Sequence, residues 1–155
     1  MDICDILSAD AIKVPLEASN KQEAIDELVD VLASTGKISD AEELKRVVWD
    51  RETQRSTGIS EGLAIPHGKC SNLDNLVVAV GRPSEPLDFD SIDNQPVQLI
   101  VLLVSPENRI ADHIQALGKI SRMMTSGSFR NSAYSAKTSE EMYELFKRET
   151  AAESN

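Results

Sequence analysis

A chain of 155 residues that is 41% hydrophobic, 27% charged and 4% aromatic is long enough for one domain with a buried core. Its 16 Lys and Arg face 26 Asp and Glu, a formal net charge of −10, and residues 1–50 hold 12 of the acids but only 5 of the bases. So acidic a chain, with no basic run and only six aromatics, repels phosphate backbones and anionic lipid, which excludes nucleic-acid and membrane-surface binding. The start, Met1-Asp2-Ile3-Cys4-Asp5, is acidic where a secretion signal would be basic. The longest apolar run, Leu99 to Val104, is too short to span a bilayer. Cys4 and Cys70 follow no disulfide spacing. These features predict a cytoplasmic protein with free thiols, its acidic first third suited to partners with a basic face.

Residues 1–150 read as a single domain and 151–155 as a frayed tail, because no linker or repeat divides the chain. Apolar residues alternate at Ile12, Val14 and Leu16, which predicts a short strand, and Pro15 places it at a sheet edge or at its own end. A helix follows, with Asn20 and Glu23 as its capping box, Ile25, Leu28, Val29 and Leu32 as its stripe and Gly36 as its stop. The second helix starts at Ser39 or Asp40. Its stripe of Leu44, Val47 and Val48 leads, at i+7, to Arg51, an arginine where a core residue is due.

A loop of small residues, Ser56 to Gly62, precedes the apolar run Leu63-Ala64-Ile65, which Pro66-His67-Gly68 ends abruptly. Leu76–Val80 and Val97–Val104 read as buried strands, the second central, with loop and at most a short strand between Arg82 and Pro96. Ile110, His113, Ile114 and Leu117 give a third helix that continues to Met124, and Thr138 with Glu141 caps a last one carrying Met142, Leu145 and Phe146. Strands alternating with helices predict an α/β fold, one sheet with helices against it.

Only two histidines are present, His67 and His113. His67 follows a proline at a strand end, beside glycines that let backbone N–H groups approach an anion, and it reads equally as a loop histidine without a role. His113, on the apolar stripe of its helix, reads first as a core residue, and Arg51 as a packed stem with a solvated head. Together the three offer an imidazole nucleophile, a second imidazole donor and a fixed cation, the set that phosphoryl transfer needs. Gly58-Ile59-Ser60-Glu61-Gly62 matches the G-x-S-x-G elbow of serine hydrolases, but a helix precedes it and a strand follows, the reverse of what that elbow requires. His67-x-x-Cys70 supplies only two metal ligands, and no nucleotide-binding glycine motif occurs, so neither metal nor cofactor is expected.

The stretch Arg51 to Gly68, and above all Ser56-Thr57-Gly58-Ile59 followed by Gly62-Leu63-Ala64-Ile65-Pro66-His67-Gly68, resembles the signature of the fructose/mannitol-type enzyme IIA domains of the bacterial phosphotransferase system. Phe89-Asp90-Ser91-Ile92-Asp93-Asn94-Gln95-Pro96-Val97 and His113-Ile114-Gln115-Ala116-Leu117 resemble further segments of that family, so the likeness covers nearly the whole chain. Length and Asp93-Asn94-Gln95-Pro96-Val97 are most similar to the stand-alone nitrogen-regulatory branch. The resemblance implies a single mixed β-sheet flanked by helices on both sides. It implies that His67 is phosphorylated on Nε2 by the phosphohistidine of an HPr-like carrier, that Arg51 stabilises the phosphoryl group, and that His113 contacts it or orients His67. The protein would then be a stoichiometric carrier rather than an independent enzyme, acting on a regulated target or handing the group to a IIB cysteine for sugar uptake. Ser60-Glu61 stands where the family often has glycine and asparagine, and Glu61 is expected to face solvent.

Overall fold

The computed structural model describes residues 2–154. After two short 3₁₀ turns, Ile3–Asp5 and Ala9–Ala11, the chain forms β1 (Ile12–Leu16), α1 (Lys21–Ser34), α2 (Ala41–Gln54), β2 (Gly58–Ser60), β3 (Leu63–Ala64) and β4 (His67–Cys70). It continues through β5 (Val77–Pro83), β6 (Leu99–Pro106), α3 (Ile110–Met123), α4 (Gly127–Ser135) and α5 (Ser139–Ser154). The helix starts follow local chemistry. Asn20 Oδ1 accepts from Glu23 N at 2.9 Å, Asp40 Oδ1 from Glu43 N at 3.1 Å and Thr138 Oγ1 from Glu141 N at 3.1 Å, each satisfying an amide that a helix terminus leaves unpaired.

The six strands make one mixed sheet in the order β1-β5-β6-β3-β2, with β4 also on β6. β6 is its axis. It runs antiparallel to β5 and parallel to β3 and β4, and all eight of its residues are buried. β1 is an edge strand, pairing with β5 alone, where Pro15 costs the ladder least. α1 and α2 pack together and cover one face, α2 against β4. α3 lies against β6 on the other face, with α4 packed on α5. The mixed sheet between helices is the α/β architecture expected.

Three details depart from the sequence reading. The run that Pro66 should end is only interrupted: Pro66 has no N–H to give, but its carbonyl accepts Leu103 N at 3.0 Å. Pairing to β6 therefore resumes at His67 in the register that Leu63 and Ala64 set. α4 is an element that periodicity did not announce, because it buries only Phe129 and Ala133. α5 continues to Ser154, through most of the segment expected to fray, and Asn155 lies outside the described residues.

Candidate functional site

His67 and Gly68, adjacent on β4, point to opposite faces of the sheet. A Cβ on Gly68 would lie 2.9 Å from Val48 Cγ2 and 3.2 Å from Val47 Cγ1, so only glycine lets α2 close on the strand. Arg51 sits one turn beyond those valines, beside the start of β4, and its Nη1 donates to Arg55 O at 3.0 Å. The face that His67 shares also carries its register partner Leu103 and, two residues along β6, Ser105. α3 returns His113 to that face. The two imidazoles meet edge to face with centroids 5.1 Å apart, and His113 Nδ1 lies 2.6 Å from Ser105 Oγ.

His67 Nδ1 is 3.0 Å from Ile65 O. A carbonyl can only accept, so Nδ1 carries the proton and the Nε2 lone pair is free. Burial holds the His67 pKa below its ordinary value. The Ile65 carbonyl opposes that shift, Arg51 and Lys69 add to it by like charge, and Glu52 opposes it. His113, 8% exposed, is pushed down to about 4 by burial first and then by His67 and Lys69. Both rings are therefore neutral at pH 7. His67, with its unprotonated Nε2, and His113 thus meet as two neutral imidazoles, with the Arg51 cation close enough to act on the first; these are the three residues that the sequence singled out.

Glu52 and Lys21 were not anticipated. Glu52, 2% exposed, accepts from Thr57 N at 2.8 Å and Thr57 Oγ1 at 2.6 Å, and pairs with Lys21 Nζ at 2.9 Å. Lys21 Nζ also donates to Phe89 O at 3.2 Å and lies over the Phe89 ring. Ser56 Oγ donates to the same Phe89 carbonyl at 2.6 Å and accepts from Gly58 N at 3.0 Å. A Cβ on Gly58 would collide with Ser91 Oγ. The loop after α2 is thus clamped to α1, to α2 and to the segment at residues 89–91. Its signal was present: Glu52 continues the Leu44, Val48 stripe by one more turn, and such a buried acid demands a partner.

Ser60 is exposed on β2, and α2 precedes it while β3 follows, so the G-x-S-x-G match lacks the strand-to-helix turn of a hydrolase elbow. Glu61 and Gly62 form the β2–β3 turn with φ of 58° and 85°, the paired left-handed geometry of a type I′ hairpin. Glu61 holds this strained position by donating its N–H to Asp93 Oδ2 at 3.2 Å and accepting from the Tyr134 hydroxyl. Its carboxylate, 65% exposed, lies 3.9 Å from Arg130 and faces solvent as expected. Among the described residues no three His, Cys, Asp or Glu are grouped to hold a metal ion. No helix there is long and apolar enough to cross a membrane.

Residues 5–149 match the family described as phosphoenolpyruvate-dependent sugar phosphotransferase system, EIIA 2. The chain belongs to that family. Its relatives include nitrogen regulatory proteins and sugar-specific components. The chain is 33% identical over 146 residues to a nitrogen regulatory protein of Bradyrhizobium diazoefficiens, covering 94% of both. It is also 33% identical over 145 residues to the fructose-specific EIIABC component of Bacillus subtilis, covering 94% of this chain but only 23% of that larger protein. Among solved structures, the nitrogen regulatory protein IIA-Ntr of Neisseria meningitidis superposes with a TM-score of 0.84 at 29% identity, covering 92% of this chain and 97% of the other. The mannitol enzyme IIA of Escherichia coli, solved in complex with phosphorylated IIB, shares the fold with a TM-score of 0.77 at 20% identity, covering 92% and 99%.

Proposed function

We propose that this EIIA-2 chain is a phosphoryl carrier whose acceptor atom is His67 Nε2. The observation that carries the reading is the Nδ1–H bond to Ile65 O, which leaves Nε2 as the one nucleophilic nitrogen of a neutral ring. In the transfer, the Nε2 lone pair forms the new N–P bond as the N–P bond of an HPr-like phosphohistidine breaks, its electron pair returning to the carrier's imidazole. Nδ1–H stays on the Ile65 carbonyl, which stabilises the positive charge that the ring acquires. The Arg51 guanidinium and His113 hold phosphoryl oxygens as charge redistributes, so the site needs neither metal nor cofactor for this step. Ile110 and Ile114, exposed on the same helix as His113, offer apolar contact beside it, and the acidic chain suits a carrier with a basic face.

The 33% identity to a nitrogen regulatory protein and the TM-score of 0.84 to the Neisseria IIA-Ntr, against 0.77 for the mannitol enzyme IIA, support a regulatory output in the cytoplasm, read through the phosphorylation state. The fructose-specific relative and the mannitol IIA–IIB complex support a second reading, delivery of the group to a IIB cysteine. Labelling with phosphoenolpyruvate, enzyme I and an HPr-type carrier tests the shared step. His67→Ala should take up no label and His113→Ala should take it up slowly. Full labelling of the His67 variant would remove the assignment.

A further inference from the structure

We infer that Ser105 is a positioning residue for the second histidine: its hydroxyl donates to His113 Nδ1 and holds that ring as the Nε2–H tautomer. The inference rests on the phosphoryl-carrier reading for its purpose but not for its geometry. Ser105 is fully buried on β6, and the 2.6 Å bond to Nδ1 is a short one between two groups that water scarcely reaches. A hydroxyl can give or take a hydrogen bond, and so can each nitrogen of a neutral imidazole, which leaves two arrangements. In one, Nδ1–H donates to Ser105 and the Nε2 lone pair is left on the free side of the ring. That lone pair would repel the oxygens of a phosphoryl group on His67. In the other, Ser105 donates, and the free side of the ring presents an N–H donor.

The fold favours the second arrangement. His67 already has its Nδ1 proton committed to Ile65 O, so its Nε2 is a bare lone pair within a ring 5.1 Å from that of His113. Two such lone pairs in one half-buried site leave both without a donor, whereas an N–H on His113 supplies one before and after phosphorylation. The shared register makes the arrangement rigid. Ser105 lies opposite Lys69 on β4, two residues beyond the pairing of Leu103 with His67, so both rings take their positions from the same two strands. Nothing in the apolar run Leu99–Val104 requires its next residue to be polar, and this hydroxyl finds its partner in His113.

Ring ¹⁵N NMR of the native protein at pH 7 tests the tautomer with no phosphoryl donor present. The expected result is a protonated Nε2 and an unprotonated Nδ1 on His113, and the reverse assignment overturns the inference. Transfer rates test its purpose. Ser105→Ala should slow phosphorylation of His67 by about 3-fold to 10-fold, the range for one lost hydrogen bond, and Ser105→Thr, which keeps the hydroxyl, should recover most of it. In a His113→Ala background Ser105→Ala should cost nothing further. An equal slowing there would assign Ser105 to packing alone and overturn the inference. If the native protein takes up no label, the carrier reading fails, while the NMR result still decides the tautomer.

Discussion

Replacing Lys21 with methionine should destabilise the protein by about 3 kcal/mol, far more than loss of a surface ion pair costs. The side chain of Glu52 is 1% exposed and that of Lys21 13%, so water cannot take over when the ammonium is removed. A buried carboxylate that loses its partner typically costs about 3–5 kcal/mol. The lower end applies here, because Thr57 N and Thr57 Oγ1 still donate to Glu52. Adding Glu52→Gln removes the stranded charge while keeping a carbonyl that accepts from Thr57 N, so the double variant should recover about 1–2 kcal/mol relative to Lys21→Met. Urea unfolding of the four proteins measures the coupling directly, provided the slope against denaturant is unchanged. A Lys21→Met cost below about 1 kcal/mol, or strict additivity in the cycle, would show that Glu52 is solvated and the clamp on Thr57 is not electrostatic.

Gly68→Ala should cost about 1–3 kcal/mol, since its Cβ would reach 2.9 Å from Val48 Cγ2 and α2 must lift from β4. Because Arg51 rides on α2, phosphoryl transfer should slow with it, and wild-type stability in a urea titration would refute the close packing. His113 sets an acid limit on stability. Unfolded, its imidazole takes a proton below a pKa of about 6.5; folded, only near 4, so stability present above pH 6.5 is lost as pH falls toward 4. The difference between wild type and His113→Asn should change by about 3 kcal/mol over that window. Unfolding curves at the two pH values check it, and parallel pH profiles for the two proteins would refute it.

Much of the fold was written locally. Asn20, Asp40 and Thr138 cap their helices through contacts three residues away, and the unbroken run ending at Val104 reads as a strand buried on both faces, as it is. What the sequence hid depends on distant partners. β4 exists because Leu103, 37 positions after Pro66, gives its N–H to the proline carbonyl. Glu52 can be buried only because Lys21, on another helix, reaches it. α4 lacks an apolar stripe of its own and is held by packing on α5, where Phe129 and Phe146 meet edge to face. The site residues were legible for a different reason. Arg51 and His113 each occupy a position on an apolar stripe where a core residue is due, and such breaks of local pattern are where function is expected to sit.

The three site residues reach their places by routes that share β6 and β4 but are otherwise separate. His67 is fixed by its own strand, through pairing with Leu103 and the bond to Ile65 O. Arg51 depends on how closely α2 approaches the opposite face of that strand, a distance that Gly68 sets. His113 depends on Ser105, one strand over and on the near face. The cation and the second imidazole are therefore adjusted from opposite sides of the sheet. A change at Gly68 shifts Arg51 while leaving the His113 tautomer alone, and a change at Ser105 does the converse. His67 keeps its free Nε2 in either case, because the carbonyl that holds Nδ1 belongs to the chain two residues before it. On the proposed carrier reading, acceptance of the phosphoryl group and stabilisation of its charge would thus fall to different parts of the fold, and rate could be tuned without moving the acceptor atom.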